Sequence, residues 1–448
     1  MDDSSADLTR QLKLFPATNI VVADMIGAGI FTTSGLLLLE LGSPLLMIAL
    51  WFGGGILALS GALCYGALGA AMPRAGGEYA YLSEQFHPLL GFLTGWISFF
   101  VGFSAPLAAS SLGFSEYLGR ALPALGFADN ADLLKKLTAV VVIFALAAVH
   151  SRGMALGSKL QNYLTVGKVV LIAAFVVAGF VLGQGDVGNF HVRTAADAPA
   201  ANWRVIGLSL MWIMFAYSGW NAAGYIGSEI REPRRTLPLS LMLGTGIVML
   251  LYLSLNALFV YAVAPGEMQG VIAVGGQAAF NLFGATAERL ISLLIAFALL
   301  SAISALIIVG PRVYYAMAKD GFFFKSVAEV DPVTRAPAKA IILQCLIASV
   351  MVLSGTFDQI LTYMGFCLGI FPILAVLGVF RLRDDTGRSA KSTPYRVAAL
   401  LFASVSLAIL VLAYFERPVE SSIALVTVAA GIPFYLGFAK AKRQGFGK

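Results

Sequence analysis

Lys168 stands in the run Gly167-Lys168-Val169-Val170-Leu171-Ile172, in a chain with 12% charged residues. Counted from Lys159, it lies about nine residues into an apolar stretch, roughly 13 Å at 1.5 Å per residue. That is close to the middle of a hydrocarbon core about 30 Å thick. Its stem is too short to carry an ammonium group out to water, so the side chain should face protein. Two readings stand: a fixed charge that braces a neighbouring helix, or a brace that also cycles a proton. Asp24 is the second ionisable group inside an apolar run. It could pair with Lys168, be hydrated from the inner side, or favour a cationic ligand. Arg312, in PRVYYAMAKDG, reads as a gate or anchor at the inner end of its span, and Glu229, in SEIREP, as cytoplasmic. His87, His150 and His191 sit at or beyond span ends and read as solvated or interfacial.

Two runs combine glycine with small polar residues inside apolar stretches. One is Met25-Ile26-Gly27-Ala28-Gly29-Ile30-Phe31-Thr32-Thr33-Ser34-Gly35, and the other Phe215-Ala216-Tyr217-Ser218-Gly219-Trp220-Asn221. Each interrupts a span near its middle, and the two spans are five helices apart. Paired broken helices at corresponding positions point to a ligand site between them. The alternative is that small residues merely let helices pack closely.

The elements that carry these residues follow from composition. The chain has 448 residues, 59% of them hydrophobic, with mean hydropathy +0.85. A soluble domain is roughly 45–50% apolar and about 25% charged, so lipid must be the solvent for much of this chain. About twenty apolar residues cross a bilayer, and lipid leaves helices as the default. Spans are expected at roughly 17–40, 45–70, 90–117, 135–151, 159–184, 204–230, 237–263, 287–316, 339–357, 359–381, 396–415 and 419–439. The net charge of +6 is spread between apolar runs rather than gathered in a stripe, which argues against nucleic acid. Cys64, Cys345 and Cys367 all fall in apolar runs without metal-ligand spacing, so neither disulfides nor a metal site is expected. The polar N-terminus followed by a long apolar run argues for a retained first span rather than a cleaved signal.

With the N-terminus inside, about 21 of the 30 Lys and Arg residues fall on the cytoplasmic side, about 7 outside and two within spans. Both termini are therefore expected to be cytoplasmic. The inside group includes Arg231, Arg234 and Arg235, and the cluster Arg381, Arg383, Arg388, Lys391 and Arg396. Cysteines placed at Asp186 or Ser421 should be reachable from outside, and one at Ser389 should not.

GAGIF in span one, and FAYSGWN followed by SEIREPRRTLP in span six, resemble two signatures of the amino acid–polyamine–organocation transporter superfamily. PRAGGEYAYL after span two and PRVYYAMAKDGFFF at the end of span eight match two more. The resemblance runs through nearly the whole chain and is nearest to the bacterial L-amino acid transporter branch. It implies an all-α integral membrane protein of about twelve helices with a 5+5 inverted repeat. A cytoplasmic tail (1–16) would precede the first repeat (17–184); the second repeat (204–381), helices eleven and twelve (382–440) and a tail (441–448) would follow. Substrate would sit between the two breaks. There, free N–H groups at a half-helix start attract a carboxylate, and free carbonyls at the opposing end hold an ammonium group. By motif position the carboxylate would meet Ala28, Gly29 and Ile30, and the ammonium the carbonyls of Met25, Phe215, Ala216 and Ser218. Phe215 would be an aromatic lid, with Trp220 and Asn221 lining or bracing the side-chain pocket. Lys168 coincides with a lysine of the family, in the space that sodium uses in sodium-coupled relatives. For Asp24 the resemblance implies no role.

The expected function is sodium-independent L-amino acid transport across the bacterial inner membrane by alternating access, through exchange of neutral amino acids, with no cofactor. The alternative carrier is a proton-coupled symporter of cationic amino acids or polyamines. Animal members of this branch join a heavy chain through a cysteine between spans three and four. Residues 118–134 hold no cysteine, so no covalently linked subunit is expected; the partners are lipid and a small amino acid. A polytopic membrane enzyme would need a nucleophile, base or metal cluster, and neither HExxH nor G-x-S-x-G occurs. The GAGIF glycines lack the third glycine and βαβ context of a dinucleotide fingerprint. A channel would need filter motifs or rings of charge, and neither is found.

Overall fold

The computed structural model describes residues 8–122, 131–191, 202–271, 274–354, 357–382 and 393–443. These residues form helices and no strands, with two isolated bridges, Leu12 to Ile230 and Ala75 to Ile226. Ten helices are long and apolar enough to cross a membrane, and the shorter apolar helices Trp203–Ala216 and Ala338–Ser354 lie where spans six and nine are expected. Apolar side chains such as Val141, Val170, Val177 and Leu250 are exposed along the spans. Only a lipid surround makes that arrangement favourable. The chain is a multi-pass membrane protein.

Both interruptions read from the glycine motifs are present. Span one is the helix Leu14–Met25 followed by Gly29–Leu41, and span six stops at Ala216 before a short helix, Ala222–Tyr225. Span three holds a feature with no counterpart in the sequence reading. The helix Pro88–Ile97 passes into a π-helical segment, Ser98–Ser104, before the helix Ala105–Ala121. Pro106 lacks the N–H that would bond to the Gly102 carbonyl, and the Ser104 hydroxyl donates to the Phe99 carbonyl at 2.6 Å. Proline and widened turns are recognised causes of helix distortion.

Both described ends of the chain lie at one end of the bundle. Leu12 and Gln11 donate their N–H groups to the Glu229 carbonyl, and Gly76 donates to the Tyr225 carbonyl. Arg74 pairs with Asp320, whose carbonyl accepts from Lys442. At the opposite end, Asp186 N–H donates to the Tyr261 carbonyl and Gly270 N–H to the Gly35 carbonyl. Arg383, Arg388, Ser389 and Lys391 lie outside the described residues.

Two expectations need correction. His150 is buried rather than interfacial, because helix packing places its Nε2 2.8 Å from the Ser304 hydroxyl. Ser421 is 2% exposed, since the turn between spans eleven and twelve is tighter than read and the last helix already begins at Pro418. Exposed Arg417 is the usable position there. Glu229 and Arg312, which the sequence reading did not connect, form one ion pair, 1% and 3% exposed.

Candidate functional site

The two breaks meet because glycine stands at the point of closest approach on each. A Cβ on Gly29 would lie 2.8 Å from Ala216 Cα, and one on Gly219 2.8 Å from the Asp24 carbonyl carbon. Gly219 also has φ +96°, a conformation that other residues avoid. Each break thus inserts its glycine against the other's backbone. Tyr252 of span seven seals the junction. Its hydroxyl lies 2.6 Å from the Met25 carbonyl oxygen and 2.9 Å from that of Ala216, so one proton serves both breaks.

At the first break, the N–H groups of Ala28, Gly29 and Ile30 find no acceptor among the described residues. They open the helix Gly29–Leu41, whose positive dipole end adds to their attraction for an anion. Opposite them, the Ser218 carbonyl finds no donor among the described residues. The Phe215 carbonyl accepts one bond, from Ser218 N–H, and the Ala216 carbonyl one, from Tyr252. The Met25 carbonyl accepts two, from Gly27 N–H and Tyr252, which fills its two lone pairs.

A cavity of about 130 Å³ lies between these groups. That is well above the roughly 10–15 Å³ needed to admit one water, so the cavity has room for several waters or a small solute in their place. Asp24, Met25, Ala28, Gly29, Phe215, Ala216, Ser218, Trp220 and Asn221 line it; Ile30, fully buried, does not. Trp220 packs edge-on against Tyr65 and Phe402 at 4.7 and 5.4 Å. A Cβ on Gly61 would fall 2.7 Å from its ring, so that glycine lets span two approach.

Lys168 is fully buried and stands outside this cavity. Its Nζ donates to the carbonyls of Ala23 and Ile26 at 3.1 and 2.8 Å, tying span five to the first break. No salt bridge joins it to Asp24, whose Oδ1 is buried without a partner. No group of three or more His, Cys, Asp or Glu side chains able to hold a metal occurs among the described residues.

The family model for amino acid permeases matches residues 12–436. The chain belongs to that family. The permease is 28% identical to the b(0,+)-type amino acid transporter 1 of Mus musculus over 443 residues, covering 97% of this chain and 89% of the mouse protein. It is also 28% identical to a serine/threonine exchanger of Bacillus subtilis over 444 residues, 97% of this chain and 98% of that one. It is 26% identical to the large neutral amino acids transporter small subunit 2 of Oryctolagus cuniculus over 434 residues, 96% and 80% of the two chains.

Sequence reading missed several residues of the permease site. Tyr252 carried a usable signal: it lies four residues before Asn256, one turn away in a mid-membrane stretch where polar side chains are rare. Asn256 accepts from Ser34 at 2.6 Å, fastening the second half of span one. Glu78 stands in the sequence only as one letter of PRAGGEYAYL, yet this buried residue lines the cavity.

Proposed function

We propose that the permease is a sodium-independent exchanger of small neutral L-amino acids, working by alternating access in a bacterial inner membrane. One observation carries this reading: the residues of the unbonded N–H groups at Ala28 and Gly29 line one small cavity with Ser218, whose carbonyl is also unbonded among the described residues. A zwitterion offers a carboxylate to the first set and an ammonium to the second, and no buried acid or base is needed. The similar proteins named as amino acid transporters and as a serine/threonine exchanger support the same reading. Lys168 takes the cationic position at the first break, which is the support for sodium independence. The 5+5 inverted repeat, with halves 17–184 and 204–381, is proposed from the matched positions of the two breaks.

The test is competition against a labelled amino acid in proteoliposomes, in sodium and in choline buffer. Each charge or backbone group left unpaired in a dry site costs about 1–3 kcal/mol, and more when ionised. Methyl esters and decarboxylated amines should therefore compete at least about tenfold more weakly than the parent amino acid, equally in both buffers. An amine that competes as well as its parent would establish the rival reading, proton-coupled symport of cationic amino acids or polyamines. The cavity carboxylates of Asp24 and Glu78 speak for that rival.

Both termini are proposed to be cytoplasmic, on the charge asymmetry of the loops. The three native cysteines are all buried, so substituted cysteines can be labelled on a quiet background. Positions Asp186 and Arg417 should react with an impermeant thiol reagent in right-side-out cells, and position Ser389 should not. Reaction at Ser389 would reverse the orientation. The same burial leaves no thiol for a covalent partner, so transport by the purified chain alone is expected.

A further inference from the structure

Gly76 and Gly77 deliver Glu78 to the second break. Both have positive φ, +101° and +50°, and a Cβ on Gly77 would lie 2.5 Å from the Tyr225 ring. The loop after span two therefore packs directly on the far side of span six, with Glu78 at the start of the helix Glu78–Gln85. Its carboxylate is 5% exposed and forms no salt bridge among the described residues. Three neutral donors surround it instead. Oε1 accepts from Asn221 Nδ2 at 2.7 Å and from the Tyr225 hydroxyl at 3.0 Å, and Oε2 accepts from the Thr94 hydroxyl at 3.1 Å. Asn221 Nδ2 donates a second time, to the Tyr225 oxygen at 3.1 Å.

With Glu78 ionised, this arrangement leaves the Asn221 amide one orientation. Tyr225 has a single proton and spends it on Glu78, so its oxygen can only accept from Asn221. A reversed amide would set Oδ1 against Glu78 Oε1, two acceptors facing each other. A proton on Oε2, facing Thr94, would change nothing, because Oε1 would then be a carbonyl oxygen. Asn221 Oδ1 takes no hydrogen bond from the described residues and is not among their sealed, unpartnered polar atoms. It is left for the cavity that Asn221 lines.

We propose that Glu78 is a specificity-determining positioning residue: it holds Asn221 so that only an acceptor faces the substrate, which selects amino acids whose side chain donates a hydrogen bond, small hydroxy amino acids foremost. The inference rests on the cavity being the amino acid site, and it adds a chemical class. An acceptor without a donor is a buried group left unpaired, so an aliphatic side chain is penalised and a hydroxyl is not.

Three compounds of similar size separate the possibilities. Threonine donates and accepts, its isomer O-methylserine accepts only, and valine does neither. In proteoliposome competition with the wild-type permease, threonine is expected to inhibit about tenfold or more strongly than either of the others. Glu78→Gln keeps an acceptor toward Asn221 and a donor toward Thr94, and should retain that ratio. Glu78→Leu releases the amide to turn, and the threonine to O-methylserine ratio should fall toward one. A ratio is read within one preparation, so lower expression does not move it. Equal inhibition by all three compounds in the wild type would overturn the inference while leaving amino acid exchange standing. So would an unchanged ratio in Glu78→Leu. Inhibition by none of a full amino acid panel would defeat the transport reading itself. Should Glu78→Leu not fold, Glu78→Met, which likewise removes both acceptors, is read in its place by the same ratio.

Discussion

Lys168→Ala is expected to lose about a hundredfold or more of its exchange rate, with apparent substrate affinity changed by less than about tenfold. The substitution strands the carbonyls of Ala23 and Ile26, both buried and both bonded to the lysine amine. Each stranded group costs about 1–3 kcal/mol, and about 1.4 kcal/mol is a factor of ten in an equilibrium. The cost falls on the shape of the first break and on its attachment to span five. Lys168 does not line the cavity, so turnover should suffer more than binding. Lys168→Arg keeps the charge, but its larger planar head does not match two converging carbonyls, and intermediate activity is expected. The measurement is initial exchange rate and half-saturation in proteoliposomes, in sodium and in choline. A fully active alanine variant, or strict sodium dependence of the wild type, would remove the part assigned to this lysine.

Arg312→Ala should be among the most destabilising single substitutions in the protein. Arg312 grips Glu229 with two parallel hydrogen bonds, Nε to Oε1 at 2.8 Å and Nη2 to Oε2 at 3.2 Å. The backbone carbonyl of the same glutamate accepts from Gln11 and Leu12. One residue therefore fastens span eight and the N-terminal segment to the chain leaving span six. Removing one partner of a buried pair leaves an uncompensated charge, at a cost of about 3–5 kcal/mol. Thermal unfolding of the solubilised protein should fall sharply for Arg312→Ala and for Glu229→Ala. The double variant Glu229→Leu with Arg312→Met removes both charges and keeps apolar volume, and should recover most of the loss. Single variants as stable as the wild type would show that the pair does not hold this end of the bundle.

The pair also marks the limit of what can be read from sequence. Both residues stand out in the sequence, yet they are 83 positions apart, and neither carries a sign of the other. Which face of span eight turns toward the SEIREP stretch depends on packing summed over the whole bundle. The same holds for Lys168, 142 positions from Ile26, for Glu78, 143 from Asn221, and for His150, 154 from Ser304. Burial inside the membrane required Lys168 to face protein, but not that its partners would be two carbonyls rather than Asp24. The π-helical stretch of span three had a local cause in Pro106, but its place along the cavity came from the packing of span three against span eight.

What the sequence determined by itself is what short-range physics controls. Runs of about twenty apolar residues must be helices in lipid, because no other single segment satisfies its own backbone there. Glycine beside small polar residues weakens a helix locally, so both breaks were legible from composition and spacing. The tertiary structure alone decided which atoms those breaks offer to one another. Gly29 meets Ala216, Gly219 meets Asp24, and Tyr252 shares its proton between Met25 and Ala216. Local strength of a helix is a property of neighbours in the chain, whereas the partner of an exposed carbonyl or a buried charge is set by distant helices arriving at the same place.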